Sequence, residues 1–289
     1  SAYSSISVTL ANMPSTIIYA IATSILPSLA AALALKKQKK VRESMRASLR
    51  LTAVFAFPCA FGVCLLSEGI ISCIYSASTI SQTVYINSAG EAVTALSISS
   101  TALGILAVGI IFITMYSTTN ALMQSYGLEW YTIVSVLCGT GTKLVLSLIL
   151  LNIKAINIYG AAISTVACYV VAVGMNCRYL RKKSGHSLKL PALCVKPFAA
   201  AAVCGISAIA VYKLISIALG TLGSLRMRSA VALLPAVVVA VCVYFVVLLA
   251  IKGIPENELL MLPKGEKICS ALRKMKLLGA KSTEGGAKR

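Results

Sequence analysis

The sequence predicts an all-α fold, a polytopic transmembrane helical bundle of about seven spans. Three observations predict it. The 289 residues are 58% hydrophobic and only 12% charged, with a mean hydropathy of +0.88, whereas soluble domains carry about 25% charged residues. Apolar runs near or above the roughly 20 residues that cross a bilayer as a helix recur along the chain. The basic residues, which give a net charge of +19, fall mainly into clusters flanking those runs: residues 36–50, 178–196 and 252–289. That is how a membrane protein marks its cytoplasmic loops.

Taken in order, the first span covers residues 6–35 and carries Pro14 and Pro27. Each proline deletes a backbone hydrogen bond, so this span is expected to be kinked or broken. The basic segment KKQKKVRESMR reads as a loop. The second span, 49–75, contains Pro58 and Glu68. A polar loop without Lys or Arg follows at 76–91. The third span, 92–114, runs into the polar stretch TMYSTTNALMQSYG. The fourth is 130–151, the fifth 158–175, the sixth 193–219 and the seventh 230–251. The fifth opens with YGAAISTVACY, small residues that allow close helix approach.

Orientation follows from the charges. With the 36–50 loop cytoplasmic, alternation places the 178–192 loop and the tail on the same side, as the positive-inside rule expects. Lys154, Lys213, Arg226 and Arg228 fall near the other face. Ser1 is then expected outside and Arg289 in the cytoplasm. The opening residues carry no basic signal-peptide region, and the odd span count starting outside suggests that helices precede this chain.

The composition argues against several functions. Aromatic residues are scarce among the basic ones, so no nucleic-acid partner is expected, and the basic loops suit anionic lipid headgroups. The ten cysteines form no CxxC pair and read as small apolar residues, and His186 lies in a basic loop. The sequence has no Asp, no HExxH, no GxSxG and no phosphate-binding loop. No catalytic residue, metal or cofactor is expected, and an ATPase domain is absent from this stretch.

The most improbable residue is Lys143, within the fourth span. An ammonium at the centre of a membrane helix costs about 2.5–3.5 kcal/mol on insertion scales. At helical spacing Lys143 shares a face with Ser135, Gly139 and Ser147. It either lines an internal polar cavity or snorkels toward the helix end, about 12 Å away. Glu68 is either a cation or proton site or an interfacial carboxylate. The run from Thr114 to Gln124, including Asn120, is either a solvated helix end or part of the cavity. Trp130, beside Glu129, reads as an interfacial anchor.

The order of segments carries a resemblance. A proline-bearing span, LANMPSTIIYAIATSILPSLAAAL, precedes a basic loop and LRLTAVFAFPCAFGVCLLSEGIISCIY; NALMQSYG, TKLVLSLILL and INIYGAAISTVACYVVAVGMN follow. This resembles the C-terminal part of the polysaccharide-exporter branch of the multidrug/oligosaccharidyl-lipid/polysaccharide flippase superfamily. Within it, the chain is most similar to the stage V sporulation protein B group, relatives of the lipid II flippase, and the ending PENELLMLPKGEKICSALRK is similar as well. The family turn Leu-Gln-x-x-Gly corresponds to Leu122, Gln124 and Gly127, with the glutamine displaced by one. Gly160, Ala161, Ala162 and Thr165 match the glycine-rich helix start, and Lys143 matches an intramembrane lysine.

The resemblance implies the C-terminal part of a two-lobe transporter with about fourteen spans. Residues 1–178 would be five spans of one lobe without its first helix, residues 179–252 an additional helix pair, and 253–289 a basic cytoplasmic tail. It implies a bacterial plasma-membrane flippase that passes an undecaprenyl-pyrophosphate-linked oligosaccharide, such as a peptidoglycan precursor, through a cavity between lobes. Lys143, Asn120, Gln124, Ser135 and Ser147 would meet the headgroup. A cation/multidrug antiporter using Glu68 and a non-transporting membrane scaffold are the alternatives.

Overall fold

The structure, a computed structural model, describes residues 15–16, 18–20, 23–24, 26–74, 81, 83–86, 92–153, 157–185, 190–218, 220 and 225–251. The start of the expected first span, with Pro14, and the basic tail lie outside the described residues. Helix α1 is Leu26–Ala34 and α2 is Gln38–Leu65. A short α3, Ser67–Ile74, follows. The long helices α4 (Ala95–Ser125), α5 (Glu129–Leu151), α6 (Asn157–Ser184), α7 (Leu190–Ala218) and α8 (Leu225–Ala250) complete the chain. Six described helices, α2 and α4 to α8, are long and apolar enough to cross a membrane. With the first expected span this is a helical membrane bundle of about six to seven spans.

Several boundaries depart from expectation for physical reasons. The basic segment expected as a loop is helical from Gln38, because Val41, Met45 and Leu49 recur at helical spacing and are buried while Lys39, Lys40 and Arg42 are exposed. The expected second span breaks at Leu66, where α3 takes over. The basic residues Arg181, Lys182 and Lys183 form the last turn of α6, where cations suit the helix dipole. The polar loop carries a two-stranded antiparallel ladder, β1 (Thr83–Ile86) with β2 (Ala92–Thr94), irregular between Thr83 and Tyr85. Thr94 then caps α4, its hydroxyl accepting from the Ser97 amide at 3.4 Å.

Helix ends follow the chain's left-handed residues. At the end of α4, Gly127 has φ +67°; its amide donates to Gln124 O at 2.9 Å, and the Leu128 amide to Met123 O at 3.0 Å. This double bond is a Schellman cap and explains the glycine of the NALMQSYG turn. The same pattern closes α1, but its left-handed residue is Lys36, with φ 51°.

Side-chain contacts set the helix directions. Thr52 meets Thr118, and Met45 meets Tyr126, so α2 and α4 are antiparallel. Tyr116 meets Tyr169, and Thr119 meets Asn176, so α4 and α6 are parallel. Ser147 meets Ser164, and Tyr131 meets Tyr179, so α5 runs against α6. Phe198 packs edge-on against Phe57, and Gly205 packs on Leu65, so α7 follows α2. Neighbouring helices run in the order α5, α6, α4, α2, α7, α8, with α3 against α8 and α4. One end of the bundle therefore gathers the start of α2, the end of α6 and the start of α7, with exposed Lys39, Lys40, Arg42, Arg181, Lys182 and Lys196. Glu68, the strand ladder, Lys213 and Arg228 lie at the other.

Candidate functional site

The edge helix α5 buries a narrow stripe. Thr132, Ser135 and Gly139 are its buried residues, while Leu137, Leu144 and Leu148 are each more than 60% exposed. The stripe packs on α6 at backbone range: a Cβ added to Gly139 would stand 2.9 Å from the Cys168 carbonyl oxygen. One to two turns on, the Ser147 and Ser164 hydroxyls are 2.7 Å apart. At the far end of the seam Gly160 meets Leu150, where a Cβ would come within 2.9 Å of the leucine Cβ. Small residues let the backbones close, and the polar ones bond locally or across, as membrane helices without a hydrophobic drive require. Ser135 is fully buried and donates to the Tyr131 carbonyl at 2.9 Å.

Lys143 continues this stripe but is exposed. Cys168, near the middle of α6, faces Gly139, one turn before Lys143 on α5. Lys143 stands between Gly139, which meets Cys168, and Ser147, which meets Ser164. It therefore leaves the α5–α6 seam at mid-depth, beside the wedge between α4 and α5 and near the level of the Tyr116–Tyr169 pair. The Tyr116 and Tyr169 rings stand 5.7 Å apart. The wedge stays open because α4 and α5 touch sparingly while both pack on α6. The described carboxylates lie elsewhere: Glu129 begins α5, about 21 Å away along the axis, Glu43 is on the basic end of α2, and Glu68 is exposed in the first turn of α3.

The polar run of α4 does not gather at Lys143. Eight residues separate Cys168 from Asn176 on α6, about 12 Å of rise, and Asn176 marks the depth of Thr119 and Asn120. Thr114, Thr118 and Thr119 are buried. The Thr118 and Thr52 hydroxyls are 2.7 Å apart, and Asn176 Nδ2 donates to Thr119 Oγ1 at 3.3 Å. These side chains join α2, α4 and α6. Asn120 is half-buried with a partnerless, buried Oδ1, and Gln124 is exposed beside the Schellman cap. Just past the helix, burial pushes the Tyr126 phenol upward, and its hydroxyl donates to Met45 Sδ at 3.1 Å.

Sequence reasoning brought Ser135, Gly139, Lys143 and Ser147 to one face, and the structure places them on one seam. It did not foresee Cys168 as the α6 residue facing Gly139 beside the lysine, or Asn176 as the partner of Thr119. The small-residue start of α6 was the available signal for the seam. A second concavity, an apolar cavity of about 480 Å³, lies between α2, α3, α7 and α8, lined by Pro58, Cys59, Leu66, Leu233, Val237 and Tyr244 among others.

A profile of the family described as lipid II flippase MurJ matches residues 1–232. The chain belongs to the MurJ lipid II flippase family. No curated protein sequence matches the chain closely enough to count as a relative. As a MurJ-family chain with six membrane-crossing helices among its described residues, it is a multi-pass membrane transporter of the lipid II flippase type. The wedge at Lys143 lies inside the matched region; the second half of α8 lies beyond it.

Proposed function

We propose that this chain forms part of a two-lobe flippase that moves an undecaprenyl-pyrophosphate-linked oligosaccharide across the bilayer by alternating access. The observation that carries the reading is a mid-depth ammonium with no carboxylate at its own depth among the described residues. A cation there is stable beside an anion or water, and a pyrophosphate supplies the anion. The flanking Tyr116 and Tyr169 rings suit a sugar, and the apolar cavity suits a polyprenyl chain. Asn120 and Gln124, nearer the basic end, would meet the headgroup as it arrives from that side. Ser135 and Ser147 would hold the seam that aims Lys143.

In this reading the basic end faces the cytoplasm and touches anionic lipid headgroups, placing residue 1 outside and residue 289 inside. Residues 1–178 belong to one lobe, and 179–252 form the added helix pair. The test is transfer in proteoliposomes by the full-length protein, using a fluorescent undecaprenyl-pyrophosphate disaccharide and an impermeant quencher. Transfer supports the reading. Absence of transfer, with extrusion of a cationic dye down an ion gradient, would favour the antiporter and turn attention to Glu68. Neither activity would leave the scaffold.

A further inference from the structure

Pro58 stands inside α2 and has no amide hydrogen. In a regular helix that hydrogen would go to the carbonyl four residues earlier, which here is Val54. Val54 is fully buried. A bare carbonyl in a membrane interior is a costly defect, so a substitute donor is required. The structure supplies one from the last helix: Tyr244 Oη donates to Val54 O at 2.5 Å. Tyr244 is only 1% exposed and is the bulkiest of the fully buried side chains among the described residues. Both Pro58 and Tyr244 line the apolar cavity.

We propose that Tyr244 is a positioning residue for transport, whose hydroxyl replaces the hydrogen that Pro58 lacks and latches α8 across the break in α2. Elsewhere α8 leans on α7 and α3 and touches α2 sparingly. The bond therefore sets how far α8 stands from α2, and with it the width of the cavity. Releasing it lets α8 swing outward from α2 while α7 stays packed on α2; holding it keeps the cavity narrow. The device stores its strength in the proline, since a carbonyl already bonded within its helix gains less from a second donor. The transport consequence rests on the flippase reading; the latch itself does not.

The test is a double-mutant cycle by thermal unfolding of the full-length protein in detergent. Tyr244→Phe is expected to lower Tm by about 3 °C with Pro58 in place. In a Pro58→Ala background, where the new amide donates to Val54, the same change is expected to lower Tm by about 1 °C or less. Equal losses in the two backgrounds overturn the proposal. Should Pro58→Ala fail to fold, spin labels at exposed Arg42 and Val246 report the α2–α8 distance. Tyr244→Phe must then lengthen or broaden it by about 3 Å, close to the span of the lost bond, and an unchanged distribution overturns the latch. In proteoliposomes Tyr244→Phe is expected to slow transfer about threefold or more, with headgroup affinity within about twofold. A wild-type rate beside an intact cycle overturns the role in transport. If the wild type moves no lipid-linked sugar, the flippase reading fails and the unfolding cycle still decides the latch.

Discussion

Two glycines one half-turn apart on α5 offer a sharp contrast. Replacing either by alanine gains about 1 kcal/mol of helix propensity. At Gly141 the new methyl meets nothing within 4 Å, so the gain stands. At Gly139 it stands 2.9 Å from the Cys168 carbonyl oxygen, 3.2 Å from the Cys168 sulfur and 3.4 Å from Ala172 Cβ. A backbone oxygen cannot rotate away, so α5 and α6 must separate by several tenths of an ångström. Overpacking of this kind costs about 1–3 kcal/mol. It would also stretch the Ser147–Ser164 contact from 2.7 Å, forfeiting part of a bond worth about 0.6 kcal/mol in membranes. The net expectation is a loss of up to about 2.5 kcal/mol for Gly139→Ala and a gain of about 1 kcal/mol for Gly141→Ala, so the two differ by at least about 1 kcal/mol. Reversible unfolding of the two variants in detergent measures both. Equal gains in the two variants, with Gly139→Ala as stable as Gly141→Ala, would refute a seam closed to backbone contact.

Two further outcomes follow from the same geometry. Thr52 and Thr118 have one hydroxyl proton each, so one donates to a carbonyl of its own helix while the other donates across. Each valine variant is expected to lose about 1 kcal/mol, and the double variant about 0.6 kcal/mol less than the sum; strict additivity in an unfolding cycle would deny the interhelical bond. Lys36 occupies a left-handed position that glycine holds without strain, so Lys36→Gly is expected to stabilise by about 0.5–1 kcal/mol; a destabilised variant in thermal unfolding would contradict the Schellman cap at that turn.

The spans were legible because bilayer thickness imposes a length that a run of Leu, Val, Ile and Ala advertises directly. Lys143 was legible for the converse reason, as a charge interrupting such a run. The helical start of α2 was not, because an amphipathic helix outside the hydrocarbon looks polar to any test based on mean hydropathy. The α4 threonines were ambiguous: a hydroxyl near a helix end suits water or a neighbouring helix equally, and Asn176 decides between them from 57 residues away. The Tyr244–Val54 bond was out of reach, since it joins residues 190 apart. Pro58 announced an orphaned carbonyl but not its donor.

In the proposed flippase, the Lys143 wedge meets the anionic headgroup of a lipid-linked sugar. The most direct measurement is the transfer rate in proteoliposomes of the full-length protein and its Lys143→Gln variant, which removes the charge while keeping much of the length. Transfer of an undecaprenyl-pyrophosphate disaccharide is expected to fall at least about tenfold, the loss of one charge-assisted contact, while thermal stability is unchanged or raised. Transfer undiminished in the Lys143→Gln variant would contradict that contact and leave Lys143 a side chain reaching for the membrane surface.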